Sequence, residues 1–286
     1  MGASDGISEK NAGRVILVTG CSSGIGAHCA RALKADGWRV IASARRRHDI
    51  AALEADGIET FHLDYGEPDS IRAFFEAAMA ATGGRCDALF NNGAYSQVGA
   101  VEDLPVEALR LQFEANFFGW HDLTRRVVPV MRRQGHGRII QCSSILGLVP
   151  MRWRGAYCAS KHALEALTVT LRLELEGSGI HVSLIEPGPI RSRIAQNALA
   201  HFERHIDADA SVHRALYARQ IGRMKGETTT WTDKLGPEFV YEVLAHALTS
   251  PRPRPHYAVT RQARIGVLAR RLLPARLFYA ILAGRD

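Results

Sequence analysis

The fold is decided by residues 14–37, which read RVILVTGCSSGIGAHCARALKADG. The β-branched run at the start of this segment predicts a buried strand. The glycines Gly20, Gly24 and Gly26 come next, and a helix-favouring stretch then ends at Gly37. Such glycines let the backbone approach a pyrophosphate, and the helix N-terminus offers it free N–H groups. The segment therefore predicts a strand–turn–helix unit that binds a dinucleotide.

The same alternation continues along the first two thirds of the chain. Apolar runs without polar alternation are typical of parallel strands that are covered on both faces. We expect an α/β protein with a Rossmann-type, doubly wound parallel sheet in one domain spanning residues 14–260, with ligands at the carboxyl ends of the strands. The predicted strands are residues 14–20, 38–44, 58–64, 86–92, 137–144 and 181–188, and long helices are predicted over 106–134 and 155–176.

Three further segments surround this domain. Residues 1–13 read as a flexible leader, and residues 193–235 read as a mobile substrate flap. A strand entered through prolines is expected at the sheet edge, within residues 252–260. Residues 261–286 form a basic amphipathic tail predicted to be helical. Such a tail can lie on an anionic membrane or pack over the cleft or a neighbouring subunit, and packing is favoured.

Composition excludes several classes of protein. With 47% apolar and 23% charged residues, the chain is an ordinary globular one. Its net charge of +7 is explained by surface arginines and a phosphorylated ligand, so we expect no nucleic-acid partner. The five cysteines contain no Cys-x-x-Cys pair, which indicates a reducing cytoplasm. The histidines are scattered, and we expect no metal site.

Several motifs in order resemble those of the short-chain dehydrogenase/reductase family, in its one-domain branch. The loop Thr19–Gly26 has the spacing G-x-x-x-G-x-G, and residues 91–94, Asn-Asn-Gly-Ala, match the family's Asn-Asn-Ala-Gly with two residues exchanged. The loop and the Tyr157 motif look like those of hydroxysteroid and retinol dehydrogenases. The resemblance implies a set of cofactor-binding residues: Gly20, Ser22, Ser23, Gly24, Ile25, Gly26, Asp64, Asn92, Gly93, Tyr157, Lys161, Pro187, Gly188, Ile190 and Ser192.

The run YCASK places Tyr157 and Lys161 four residues apart, on one face of a predicted helix. A phenol titrates near pH ~10, and a neighbouring ammonium favours its ionised form. Tyr157 could then exchange a proton with an alcohol or carbonyl group while a nicotinamide exchanges hydride. The resemblance implies that Ser144 holds the substrate oxygen and that Asn116 supports Lys161 through water.

The end of the second strand indicates which dinucleotide is bound. A chain that prefers NAD carries an acidic residue there, to hold the ribose 2′-hydroxyl. Here the strand ends in Ala44-Arg45-Arg46-Arg47, and a guanidinium can pair with a 2′-phosphate. We therefore expect NADP(H), with Arg45 as the main contact.

Substrate and assembly follow less directly from the sequence. We expect the flap and residues near Gln97, Leu148, Val149, Met151 and Trp153 to line the substrate side, which favours a lipophilic alcohol or ketone. Family members commonly pair through their long helices, so a homodimer or homotetramer is expected. Two other functions stay open: a non-catalytic NADP(H)-binding sensor or scaffold, and a sugar-nucleotide epimerase or dehydratase.

Overall fold

Seven parallel strands form one sheet in the part of the chain that the computed structural model describes, which is Asn11, residues 13–226 and residues 235–284. In sequence order they are β1 (Val15–Val18), β2 (Arg39–Ala44), β3 (Glu59–His62), β4 (Ala88–Asn91), β5 (Gly137–Cys142), β6 (Ile180–Glu186) and β7 (His256–Ala258). Their spatial order is β3-β2-β1-β4-β5-β6-β7. All six predicted strands are present, and β7 is the expected edge strand.

The chain changes direction across the sheet at β1. Ile16 of β1 pairs with Val40 of β2 on one side and with Ala88 of β4 on the other. Every residue of β1 is buried, since helices cover both faces. The crevice between the carboxyl ends of β1 and β4 is therefore the switch point at which such sheets bind ligands. The doubly wound fold predicted from the sequence is confirmed.

Helices follow the strands in the expected alternation. They are α1 (Gly24–Ala35), α2 (Arg47–Ala55), α3 (Pro68–Thr82), α4 (Val106–Phe113), α5 (Gly119–Gln134), α6 (Gly155–Glu174), α7 (Ile194–His205), α8 (Arg214–Lys225), α9 (Glu238–Thr249), α10 (Arg261–Leu272) and α11 (Ala275–Ala283). The helix predicted over 106–134 is continuous but not uniform. A π-helical turn, Glu114–Phe118, separates α4 from α5 and contains Asn116. Such turns occur frequently at functional sites.

The segment predicted as a flap contains the helices α7 and α8. A hydrophobic cluster separate from the main core joins them to the loop after β4. We call it the flap cluster, and its buried residues are Val98, Ala100, Ala198, Phe202, Ile206, Tyr217 and Met224. Tyr217 of α8 is fully buried there, and its hydroxyl donates to Asp103 and accepts from the Ala100 N–H. Residues 227–234 of the predicted flap lie outside the described residues, as does the leader except for Asn11 and Gly13.

The tail forms α10 and α11, as predicted for a helical tail. Gly266 of α10 lies against Ile145 and Val149, and Arg270 donates to the Leu148 carbonyl. The inner face of α10 therefore packs beside the loop that follows β5. Within the described ranges, none of the helices has the length and apolar character needed to cross a membrane.

Candidate active site

A cavity of about 370 Å³ opens at the carboxyl ends of the strands. Its wall contains most of the residues predicted for the site: Gly20, Ser22, Ser23, Gly24, Ile25, Arg45, Asp64, Asn92, Gly93, Ser144, Tyr157, Lys161, Pro187, Gly188, Ile190 and Ser192. Two predicted residues, Gly26 and Asn116, are not part of the cavity wall. The structure thus brings distant parts of the sequence together at one site.

The glycine loop is packed backbone against backbone. Gly20 has a φ of +68°, and a Cβ there would lie 2.4 Å from the Gly93 Cα. A Cβ on Gly26 would lie 2.3 Å from the Gly20 carbonyl oxygen. The Asn92 amide donates to the Thr19 carbonyl at 3.1 Å and ties the two loops together. These glycines are therefore required by the shape of the loop.

The start of α1 carries the donors that a pyrophosphate needs. Ser23 is the N-cap residue, and its side chain caps no backbone N–H, so the first N–H groups of the helix remain available. Ser22 and Ser23 line the cavity with their hydroxyls. Free N–H groups, the positive end of the helix dipole and a glycine turn together fit a dinucleotide diphosphate.

Arg45 lies at the end of β2, where a ribose 2′ substituent is expected. Its side chain is 57% exposed, and its Nη1 lies 3.9 Å from Asp64 Oδ2. This ion pair is long and solvent-screened, so it contributes little and leaves the guanidinium able to bind a phosphate. Arg46 and Arg47 are exposed and lie outside the cavity wall.

Ser144, Tyr157 and Lys161 converge at the other end of the cavity. Tyr157 and Lys161 lie one turn apart on α6, and both are buried. The Lys161 ammonium donates to the Cys142 carbonyl at 2.9 Å. It also lies 4.0 Å from the ring centroid of Trp120, which is an attractive cation–π distance. Lys161 is thus held at a defined place beneath Tyr157.

The pKa of Tyr157 differs from the expectation that Lys161 makes this phenol more acidic. Burial raises the pKa of Tyr157, and a hydrogen bond from Ser144 lowers it only in part. Burial also lowers the pKa of Lys161 to about 8. The ammonium lies 5.9 Å from the Tyr157 ring centroid, and burial outweighs its attraction for the phenolate. A raised pKa favours the protonated phenol, which is the form that can donate to a carbonyl oxygen.

Asn116 is fully buried in the π-helical turn and makes two hydrogen bonds with one residue. Its Oδ1 accepts from the Tyr95 N–H at 3.2 Å, and its Nδ2 donates to the Tyr95 carbonyl at 2.9 Å. Nearby, the Trp120 indole donates to the Gly93 carbonyl at 2.8 Å. The π turn therefore fixes the loop after β4, and a link from Asn116 to Lys161 through water stays a prediction.

Apart from the flap, the residues expected to line the substrate side are placed elsewhere. Gln97 is buried and bonded to Gln112 and to the Val98 carbonyl. Trp153 packs on the flap cluster, and Met151 is largely exposed. None of Gln97, Leu148, Val149, Met151 and Trp153 is in the cavity wall. That expectation was wrong, because nearness in sequence to Ser144 or Asn92 does not fix the direction of a side chain.

The predicted flap contributes Ile194, Ala195, Asn197 and Ala198 to the wall. Tyr95 and Ser96, in the loop after β4, also line the cavity and were missed. Arg154, the residue before α6, also lines the cavity. Its place at the start of the helix that carries Tyr157 was the available signal.

The prediction that the histidines are scattered is wrong at two places in the structure. His201 and His205 lie one turn apart on α7 with their rings stacked. In the described ranges, one group of three lies together: Glu165, Glu186 and His256. Glu165 and Glu186 are buried, and His256 makes a hydrogen bond with Glu186 and lies 3.8 Å from Glu165. His256 can therefore compensate the two carboxylates.

Comparison with known proteins agrees with this geometry. The family profile described as short chain dehydrogenase matches residues 14–202. The chain belongs to this family. It is therefore an oxidoreductase of the short-chain dehydrogenase type, and the family implies a nicotinamide cofactor.

Individual relatives cover nearly the whole chain. The Escherichia coli K12 protein named uncharacterized oxidoreductase YbbO is 36% identical over 282 residues, which is 99% of this chain and 98% of that protein. Human 17-beta-hydroxysteroid dehydrogenase type 1 is 32% identical, over 87% of this chain and 78% of that protein. A solved short-chain dehydrogenase from Streptomyces avermitilis is 29% identical with a TM-score of 0.76, covering 94% and 95% of the two chains.

One solved relative contains a dinucleotide. The short-chain dehydrogenase/reductase from Burkholderia phymatum, determined in complex with NAD, has a TM-score of 0.77 and covers 91% of this chain and 94% of its own. At 24% identity it supports the fold alone.

Proposed function

We propose that this short-chain dehydrogenase is an NADP(H)-dependent enzyme that interconverts an alcohol and a ketone or aldehyde. The proposal depends on one observation: Ser144, Tyr157 and Lys161 meet in the same cavity as the glycine loop and Arg45. When bound, the nicotinamide supplies or accepts the hydride. The protein supplies the proton and the orientation.

Proton transfer is assigned to Tyr157. Its raised pKa keeps the phenol protonated at neutral pH, and the Ser144 hydroxyl beside it can hold the same substrate oxygen. Tyr157 then donates to a carbonyl oxygen during reduction and accepts the alcohol proton during oxidation. The Lys161 ammonium lies one turn below and stabilises the phenolate that reduction leaves behind.

The test of this role is Tyr157→Phe. The phenyl ring preserves packing but removes the proton, so turnover should fall roughly 10²- to 10⁴-fold while NADPH still binds. Tyr279→Phe, which alters an exposed tyrosine of the tail, is the matched control and should keep full activity. Activity of Tyr157→Phe within a few-fold of the parent would refute the assignment.

The preference for NADP(H) is assigned to Arg45. Its guanidinium lines the cavity at the end of β2, where an acidic residue would be needed to hold an unphosphorylated ribose. NADPH should bind at least about tenfold more tightly than NADH, and Arg45→Asp should reduce this ratio. Arg47→Asp makes the same charge change outside the cavity and should leave the ratio unchanged. Equal affinities in the parent protein would refute the assignment.

The substrate is proposed to be lipophilic. Apolar side chains line the cavity near Ser144 and the flap, namely Leu146, Ile190, Ile194, Ala195 and Ala198. The similarity to a human hydroxysteroid dehydrogenase supports an apolar alcohol or ketone. A turnover screen with NADPH and NADP⁺ over steroids, retinoids, aliphatic ketones and sugars tests this. Binding of NADPH without turnover of any compound would favour a sensor instead.

A homodimer or homotetramer is proposed from the faces of the long helices. Large apolar side chains are exposed on α4, on the π turn and on α6: Val106, Leu111, Phe118, Val169 and Leu173. A patch of this kind indicates a protein–protein contact. Leu173→Glu should therefore lower the mass measured by light scattering. An unchanged mass would exclude this helix as the interface.

Contact with an anionic membrane surface, from the cytoplasmic side, is proposed for the outer face of the tail. Its large apolar side chains are between 42% and 71% exposed: Ile265, Leu268, Leu272, Leu277, Tyr279 and Ile281. Residues 261–284 contain five arginines and no acidic residue. Two copies joined through this face would repel each other, whereas anionic lipid would attract it.

Flotation with vesicles separates these surfaces. The full chain should bind phosphatidylglycerol vesicles more strongly than phosphatidylcholine vesicles, and Leu268→Glu should weaken binding. Val212→Glu is the matched control, because it places the same charge at an exposed apolar residue outside both surfaces. Equal binding to both vesicles would refute a membrane role for the tail.

A further inference from the structure

Arg154 is a cationic side chain in the cavity that the proposed reaction does not use. It directly precedes α6, and its carbonyl accepts from the Cys158 N–H at 2.8 Å. A backbone bridge pairs it with Gly99, and its neighbour Trp153 packs on the flap cluster. Arg154 therefore lies between Tyr157 and the flap, on the substrate side.

The guanidinium of Arg154 lacks an acidic partner. Its Nη1 donates to the Trp153 carbonyl at 3.2 Å. Throughout the described residues, no carboxylate lies within ion-pair distance of it. Burial, together with the smaller effect of the like charge of Arg223, lowers the pKa of Arg154 to about 10. The group still carries its charge at neutral pH, so it is a partly desolvated cation facing a cavity.

A ligand anion is the partner that this arrangement lacks. Guanidinium and carboxylate groups form short, paired hydrogen bonds that are stronger than neutral ones. Arg45 and the glycine loop already offer sites for the phosphates of a dinucleotide, and they belong to other elements than Arg154. The unpaired charge beside Tyr157 is thus available to the substrate.

We propose that Arg154 binds a carboxylate of the substrate, so that the enzyme prefers apolar carbonyl compounds that carry an acid group. The inference rests on the proposed function and deepens it by naming a second recognition element. The carboxylate on Arg154 and the carbonyl oxygen at Tyr157 would fix a substrate at two points. Two-point attachment orients the reacting carbon.

The experiment compares aliphatic oxo-acids of increasing chain length with their methyl esters, using NADPH. For chain lengths that reach both groups, kcat/KM for the acid should exceed that for the ester at least tenfold. Arg154→Gln should reduce this ratio roughly tenfold to a hundredfold, mainly through KM, as expected for a lost charge-assisted hydrogen bond. Arg154→Lys should retain part of the preference.

Controls separate this inference from its alternatives. Arg152→Gln removes an exposed positive charge two residues away, outside the cavity wall, and should leave the acid-to-ester ratio unchanged. Melting curves report whether Arg154→Gln is folded, and Arg154→Lys carries the test if it is not. An equal ratio in the parent and Arg154→Gln would overturn the inference.

Three other outcomes have distinct meanings. A loss of NADPH affinity in Arg154→Gln as large as the loss of acid preference would assign Arg154 to the cofactor and overturn the inference. Absence of turnover of every oxo-acid and ester, when other ketones or alcohols are turned over, would overturn the inference alone. Absence of turnover of these compounds and of every compound in the wider screen, with either dinucleotide, would refute the proposed function itself.

Discussion

Replacing Glu165 with glutamine should flatten the dependence of stability on pH. Glu165 lies on α6, one turn after Lys161, with its carboxylate buried near that of Glu186. Burial, and then the like charge of Glu186, raises the pKa of Glu165 from 4.5 to about 7. The folded protein therefore holds this proton more tightly than the unfolded chain does. Its contribution is fully present below pH ~4.5 and is lost as pH rises through ~7.

The size of the effect follows from the shift. A change from 4.5 to about 7 corresponds to roughly 3 kcal/mol of unfolding free energy. A hydrogen bond with Glu186 raises the pKa of His256 as well, which adds a loss in the same direction above pH ~6.5. Glutamine has nearly the same shape as glutamic acid and does not titrate. Glu165→Gln therefore removes the first contribution and, because the Glu165 charge also raises the pKa of His256, a smaller part of the second.

Chemical and thermal unfolding near pH ~5 and pH ~8.5 measure this directly. Between these values the parent should lose up to ~3 kcal/mol more than Glu165→Gln, which is about 5 °C in Tm for a chain of this length. Glu174→Gln alters an exposed glutamate of the same helix and should behave like the parent. Equal slopes for the parent and Glu165→Gln would show that Glu165 is ionised at neutral pH and would refute the reasoning.

Three further predictions concern the loop, the flap and Lys161. Gly20→Ala should cost about 1–3 kcal/mol more than Gly135→Ala in urea unfolding, because both have a positive φ but only Gly20 meets a neighbouring backbone; equal costs would contradict the close contact. Tyr217→Phe should cost about 1–3 kcal/mol and speed hydrogen exchange in α8, since the Ala100 N–H loses its acceptor; unchanged exchange would contradict an anchoring role. For reduction, kcat/KM should fall above pH ~8, because burial lowers the pKa of Lys161 to about 8. Above that pH the neutral amine no longer stabilises a phenolate. A pH profile of kcat/KM that is flat to pH ~9.5 would contradict this prediction.

The sheet and the glycine loop could be predicted from the local sequence. The strands are continuous apolar runs, and a run such as Val15–Val18 is typical of a strand in a parallel sheet that is covered on both faces. The loop was predictable because the spacing of Gly20, Gly24 and Gly26 reflects backbone constraints that only glycine meets.

Features that depend on contacts between distant segments were not predictable in the same way. The helical periodicity from Val106 to Gln134 hides the π turn, which is held by the hydrogen bonds of Asn116 to Tyr95. The helices α7 and α8 have no side-chain N-cap hydrogen bond that would mark where they begin, and they are stabilised by the flap cluster. The lack of an acidic partner for Arg154 could not be predicted, because it depends on where the carboxylates of distant segments lie in the fold.

The flap cluster has a consequence for how this enzyme can change over evolutionary time. Phe202, Tyr217 and Met224 form a small core of their own, apart from the one that stabilises the sheet. Substitutions in the flap can be accommodated in this small core without destabilising the strands that carry the active-site residues. A lineage can therefore alter which molecules it accepts while its chemistry stays intact, and the two properties are open to selection separately.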